Sequence, residues 1–125
     1  MEKKIICTDK APKAIGPYSQ AVAVGDLLFV SGQIPVCPES GEVSDSIEGQ
    51  TKQVMENFKA VLAAAGMDFS NVVKTTIYLD NMNDFVAVNQ IYGSYFAGAF
   101  PARATVQVAK LPLCVRIEIE GIAVK

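Results

Sequence analysis

"FPARATVQVAKLPLCVRIEIEGIAV", residues 100–124, holds two runs whose side chains alternate in character. Ala104, Val106 and Val108 interleave with Arg103, Thr105 and Gln107; Val115, Ile117 and Ile119 interleave with Arg116, Glu118 and Glu120. A period of two is that of a β-strand, whose successive side chains point to opposite faces. Each run is therefore read as a strand with an apolar, helix-facing side and a polar side. The plainest reading of the polar sides is the solvent face of an antiparallel pair.

The same stretch poses a chemical question. The chain has two arginines, Arg103 and Arg116, against nine lysines. Lysine is a flexible point charge, whereas a guanidinium is a planar fork of donors that matches a carboxylate or phosphate edge-on. An arginine at the mouth of a strand hints at recognition of a planar anion.

Working back along the chain, "NVVKTTIYL" (71–79) is β-branched and strand-like. Between it and residue 100 the period lengthens: Phe85, Val88, Tyr92 and Phe96 form a helical stripe, with Asn83 expected as its cap. A second helical stretch is expected from about Ser46 to Ala65, carried by Val54, Phe58, Val61 and Leu62 and stopped by Gly66. "YSQAVAVGDLLFVSG" (18–32) is expected to be a β-hairpin turning at Gly25-Asp26, where glycine in first place suits a type II′ geometry. "KIICT" (4–8) is a short strand, and "IPVCPESGEVSD" (34–45) a loop punctuated by Pro35, Pro38 and Gly41. The order β, ββ, α, β, α, β, β describes one sheet with two helices on one face. Its other face needs a cover.

Composition fits that need. The 125 residues form one domain, 1–125, half of them hydrophobic, and the surplus apolar surface is expected to enter a subunit interface. Net charge is −2 and the only lysine cluster is Lys3, Lys4, Lys10 and Lys13, which argues against nucleic-acid binding. No apolar run approaches membrane-span length, and "MEKKIICTDK" has no apolar signal region, so a cytoplasmic location is expected. Cys7, Cys37 and Cys114 are scattered without a C-x-x-C, as reduced thiols would be.

There is no histidine. That removes Ser-His-Asp and Cys-His catalysis and the common zinc sites, leaving carboxylates, tyrosine, lysine or water for acid–base work. Three features stand out. Asn89 lies on the stripe between Phe85 and Tyr92, where a buried amide needs partners. Tyr18 follows Gly16-Pro17, a rigid turn. Ser31 and Gly32 end a strand where backbone N–H groups are free to meet an anion. Each of these also has an ordinary structural reading.

Taken together, "APKAIGPYSQA", "SGQIP", "KTTIYLDNMNDF", "FPARATVQVAKLP" and "RIEIEGIAV" resemble the RidA/YjgF family of reactive-intermediate imine deaminases, also labelled L-PSP endoribonuclease-like. The resemblance implies an α+β, chorismate-mutase-like fold: a mixed six-stranded sheet, two helices on one face, and a homotrimer with ligand clefts between subunits. It implies hydrolysis of 2-aminoacrylate or 2-imino acids to 2-oxo acids and ammonia, as a 2-iminobutanoate/2-iminopropanoate deaminase, without metal or cofactor. By the same resemblance Arg103 holds the substrate carboxylate, Glu118 and Tyr18 complete the catalytic set, and Asn89, Ser31, Gly32 and Thr105 bind substrate. Thr105 stands where the family usually has cysteine. The competing functions are a non-catalytic 2-oxo-acid-binding regulator and, less well equipped without histidine, a ribonuclease or translation inhibitor.

Overall fold

In the computed structural model, which describes residues 1–125, Ser46 starts the long helix by accepting a hydrogen bond from the Gly49 N–H. Helix α1 runs Ile47–Ala64, and Gly66, at φ +73°, ends it in the left-handed region that glycine adopts freely. Val54, Phe58, Val61 and Leu62 lie on one side of it and are buried. Full burial of such a side chain contributes about 1.5–3 kcal/mol.

These residues pack on a six-stranded sheet built from β1 (Lys3–Ile6), β2 (Ala21–Val24), β3 (Leu27–Gln33), β4 (Val72–Leu79), β5 (Ala102–Gln107) and β6 (Ile117–Val124). The strand order is β1-β2-β3-β6-β4-β5, antiparallel except for the parallel β4–β5 pair at one edge. The expected hairpin is present: Val24 pairs with Leu27, and Gly25 alone carries positive φ (+57°), as a type II′ turn requires. The 34–45 loop is present too, tied by one bridge between Val36 and Val43.

Helix α2 (Phe85–Ser94) lies on the same face as α1. Its start differs from expectation. Asn81, not Asn83, does the capping: its side chain accepts from the Asn83 N–H and opens a short 3-10 turn, Met82–Asp84, ahead of the helix. Asp84 then occupies the cap position of α2 but gives its carboxylate to Arg116, whose Nη2 lies 3.0 Å from both oxygens. Arg116 also donates from Nη1 to the Asp45 carbonyl, so it ties the α2 start and the loop before α1 to the head of β6. Phe96 lies beyond the helix yet still packs against Tyr92.

The two strands of the opening stretch are not partners. Both pair with β4, which lies between them. In β6 the apolar side (Ile117, Ile119) does face the helices. In β5 the expectation is reversed: Arg103 and Thr105 stand opposite buried Thr75 and Ile77 on the helix side, while Ala104 and Val106 lie on the open face. That open face also displays Ile5, Leu27 and Phe29, all exposed in the single chain. Exposed large apolar side chains gathered on one sheet face are the mark of an association face.

Candidate active site

Arg103 projects from the edge strand toward α2 and meets three residues of one helical stripe. Its Nη1 donates to Asn89 Oδ1 at 2.7 Å, and its guanidinium carbon lies 5.5 Å from the Phe85 ring centre and 5.2 Å from that of Tyr92. Positions i, i+4 and i+7 share one face of a helix, so three side chains set one guanidinium plane. Tyr92 is itself anchored by a 2.6 Å hydrogen bond between its hydroxyl and that of Thr75, and burial pushes its phenol pKa up. Beside this assembly is a cavity of about 330 Å³ lined by Asn89, Tyr92, Phe100 and Arg103 among others.

The chain's one ion pair joins Arg116 and Asp84. Arg103 has no carboxylate partner. A half-buried guanidinium held in plane on one side, with its remaining donors unspent, is equipped to receive an external carboxylate. Thr105, two residues on, is buried at its hydroxyl oxygen, which finds no hydrogen-bond partner in the chain.

The other expected residues gather two to three strand spacings away. Glu118 lies on the open face of β6, where burial first and the neighbouring Glu120 second push its carboxyl pKa up. Its carboxylate rests against Gly32, in the space that a β-carbon there would occupy. Between Val30 and Gln33 the register of β3 on β6 slips by one residue, so Ser31 and Gly32 form a bulge. Bulges re-aim the chain, and this one makes room for an acid.

Ser31 is committed structurally. Its hydroxyl donates to the Ser19 carbonyl at 2.5 Å, and its N–H to the Gln20 carbonyl at 2.9 Å, which pins the loop bearing Tyr18. The amide of buried Gln20 secures the same loop from below, donating to the Thr8 and Pro12 carbonyls and accepting from the Thr8 N–H. Tyr18 is left 54% exposed, its hydroxyl accepting only a long 3.4 Å bond from the Ile15 N–H. Tyr18 and Gly32 share a second cavity, of about 400 Å³.

The structure thus brings the expected residues together as two half-sites. Arg103, Asn89 and Thr105 form one at the β5 edge on the helix side; Tyr18, Ser31, Gly32 and Glu118 form the other around the β3 bulge. With β6 and β4 between them, β3 and β5 stand about 14 Å apart at the usual strand spacing. Phe85 and Tyr92 belong to the first half-site, although their spacing in the sequence marks them only as core. No cluster of three or more potential metal ligands is present, and no helix is long and apolar enough to cross a membrane.

Residues 8–125 match the family described as Endoribonuclease L-PSP. The chain is 53% identical to the mouse 2-iminobutanoate/2-iminopropanoate deaminase over 124 residues, covering 98% of this chain and 92% of that protein. Among solved structures, the Escherichia coli YjgF gene product superposes with a TM-score of 0.95 at 47% identity, over 98% of each chain. E. coli TdcF, crystallised with bound serine, gives 0.95 at 45% identity, again over 98% of each. With this agreement along nearly its whole length, the chain belongs to the RidA/YjgF family of L-PSP-type proteins.

Proposed function

We propose that this protein hydrolyses small 2-imino acids, the tautomers of 2-aminoacrylate-type enamines, to 2-oxo acids and ammonia. The observation that carries the reading is the uncompensated, pre-oriented guanidinium of Arg103. The deaminase activity named for the mouse relative supports it.

Arg103 takes the substrate carboxylate on its unspent donors and so fixes the imine carbon. Water adds across the C=N bond to give a carbinolamine; the C–N bond then breaks, ammonia leaves and the carbonyl forms. Glu118, whose pKa burial raises, takes the proton from the attacking water and returns one to the departing nitrogen. Tyr18 orients the water or the imine nitrogen with its nearly unused hydroxyl. Asn89 and Thr105 flank the carboxylate end, and the Gly32 backbone lines the other. The uncatalysed hydrolysis is already fast, so orientation is the main contribution asked of the protein.

Arg103 and Glu118 act on one substrate only if a second copy brings its bulge to the β5 edge. A homotrimer with its open sheet faces together meets that need and covers Ile5, Leu27 and Phe29. The test is a coupled assay: a serine dehydratase generates iminopropionate, and pyruvate is followed with and without this protein. Faster pyruvate release is expected. Unchanged release, from a sample that light scattering shows to be trimeric, overturns the reading.

A further inference from the structure

The cavity shared by Tyr18 and Gly32 extends well past them. It is walled by Ile34 and Val36 from the loop after β3 and by Pro112 and Leu113 from the turn before β6. Its two glutamines are already occupied: Gln20 donates its amide hydrogens to backbone carbonyls, and Gln33 donates to the Ser31 carbonyl. Lys13 and the Tyr18 hydroxyl apart, what remains of those walls is largely apolar.

Leu113 adds a second, independent observation. It has φ +56° and ψ +19°, and Cys114 follows at φ +55°, two successive non-glycine residues in the left-handed region. That conformation is sterically costly for L-residues with a β-carbon, and unpaid-for strain concentrates at ligand sites. The leucine side chain so presented is 75% exposed. An apolar side chain held out on a strained backbone at the mouth of an apolar cavity gains nothing within the chain. It gains by covering a ligand.

We propose that this cavity is the side-chain subsite of the imine site, and that the protein selects imino acids with branched apolar or larger side chains over iminopropionate. The inference rests on the imine-hydrolase reading for the placement of the carboxylate and the reacting carbon. A substrate whose imine carbon lies between Arg103 and Glu118 passes Gly32, and its side chain then enters about 400 Å³ of space. A methyl group leaves most of that volume empty. An isobutyl group fills more of it, and each buried methylene strengthens binding about fourfold.

The experiment is calorimetric binding of two product 2-oxo acids, 4-methyl-2-oxopentanoate and pyruvate, to the wild type and to Leu113→Gly. Glycine removes the cover and relaxes the left-handed backbone, so the variant folds. The wild type should bind the larger acid at least about tenfold tighter, three extra carbons at a partly open wall being worth less than their full burial. In Leu113→Gly that ratio should fall to about threefold, with assembly by light scattering unchanged. A wild-type ratio near one overturns the subsite, as does a ratio that Leu113→Gly leaves intact, an absence of binding by either acid, or loss of assembly in the variant. Preference for the larger acid without turnover of any imine would leave the subsite standing and defeat the hydrolase reading. Turnover of iminopropionate with equal binding of both acids would do the reverse.

Discussion

The Glu118 carboxylate occupies the volume that a β-carbon on residue 32 would fill. The acid and the β3 bulge are therefore one unit: the extra residue between Val30 and Gln33 turns Gly32 toward β6, and the missing side chain leaves a berth for the carboxylate. Gly32→Ala should displace Glu118 without unfolding the protein, because what the new methyl meets is the far end of a flexible side chain. Turnover should fall about as far as it does in Glu118→Gln. The double variant should then lose little more than either single one, since both changes remove the same placed acid. Additive losses in kcat/KM would show that Gly32 acts independently of Glu118.

Glu118→Gln should slow imine hydrolysis by about 10²-fold, a typical cost for a missing general acid–base. It should also stabilise the protein at neutral pH. Burial raises the Glu118 pKa, so the folded state holds this proton more tightly than the unfolded state does. Wild-type stability therefore declines as pH rises from the ordinary glutamate range through the raised value, and the penalty is complete above it. Glutamine has no charge to bury. The group is only partly buried, so solvent screening limits the gain to about 1–2 °C in Tm at neutral pH. That gain should vanish on acidification below about pH 4. Melting curves of both proteins across that range decide it, and a variant less stable than wild type at neutral pH would place Glu118 in a structural ion network.

The elements of this fold were legible because their signals are local. Alternation marks β5 and β6, the Phe85–Tyr92 stripe marks α2, and Gly25 marks the hairpin. Which face of β5 the helices cover was not legible. Parity says which residues share a side; that Arg103 and Thr105 face inward depends on β5 being the edge strand beside β4, under the start of α2. The candidate site residues were named from a set of motifs, whereas their division into two groups follows from strand order, which chain order does not state. Gly32 against Glu118 is a contact across 86 positions, and a left-handed Leu113 has no local sequence signature at all.

Thr105→Val should raise the melting temperature. The threonine hydroxyl oxygen is shut away from solvent on the helix side of β5 with no partner, and an unpaired buried hydroxyl costs about 1–3 kcal/mol. Valine replaces it at nearly the same shape and suits a strand. A gain of about 1 kcal/mol, a few degrees in Tm, is expected. If the hydroxyl serves the bound carboxylate, the same variant should lose affinity for 2-oxo acids. A lower Tm would mean that the hydroxyl has a partner, in the chain or across the subunit boundary.

The two arginines should fail in opposite ways. Arg116 is occupied: it holds both oxygens of Asp84 and the Asp45 carbonyl, and removing it strands a carboxylate that is only 12% exposed. Losing one partner of a fully buried pair costs about 3–5 kcal/mol. Here the Arg116 side chain is a third exposed, so about 1–3 kcal/mol is expected for Arg116→Ala, with little change in kcat per folded subunit. Arg103 has only Asn89 and two aromatic rings, and its fork is open. Arg103→Ala and Arg103→Lys should both melt close to wild type. Both should lose about ten- to a hundred-fold in kcat/KM, because lysine keeps the charge but cannot match a carboxylate with two parallel donors. The measurement is turnover and melting on all three variants under one buffer. Full activity in Arg103→Lys would refute forked recognition of the carboxylate, and loss of the wild-type assembly state in both Arg103 variants would make this arginine an interface residue instead.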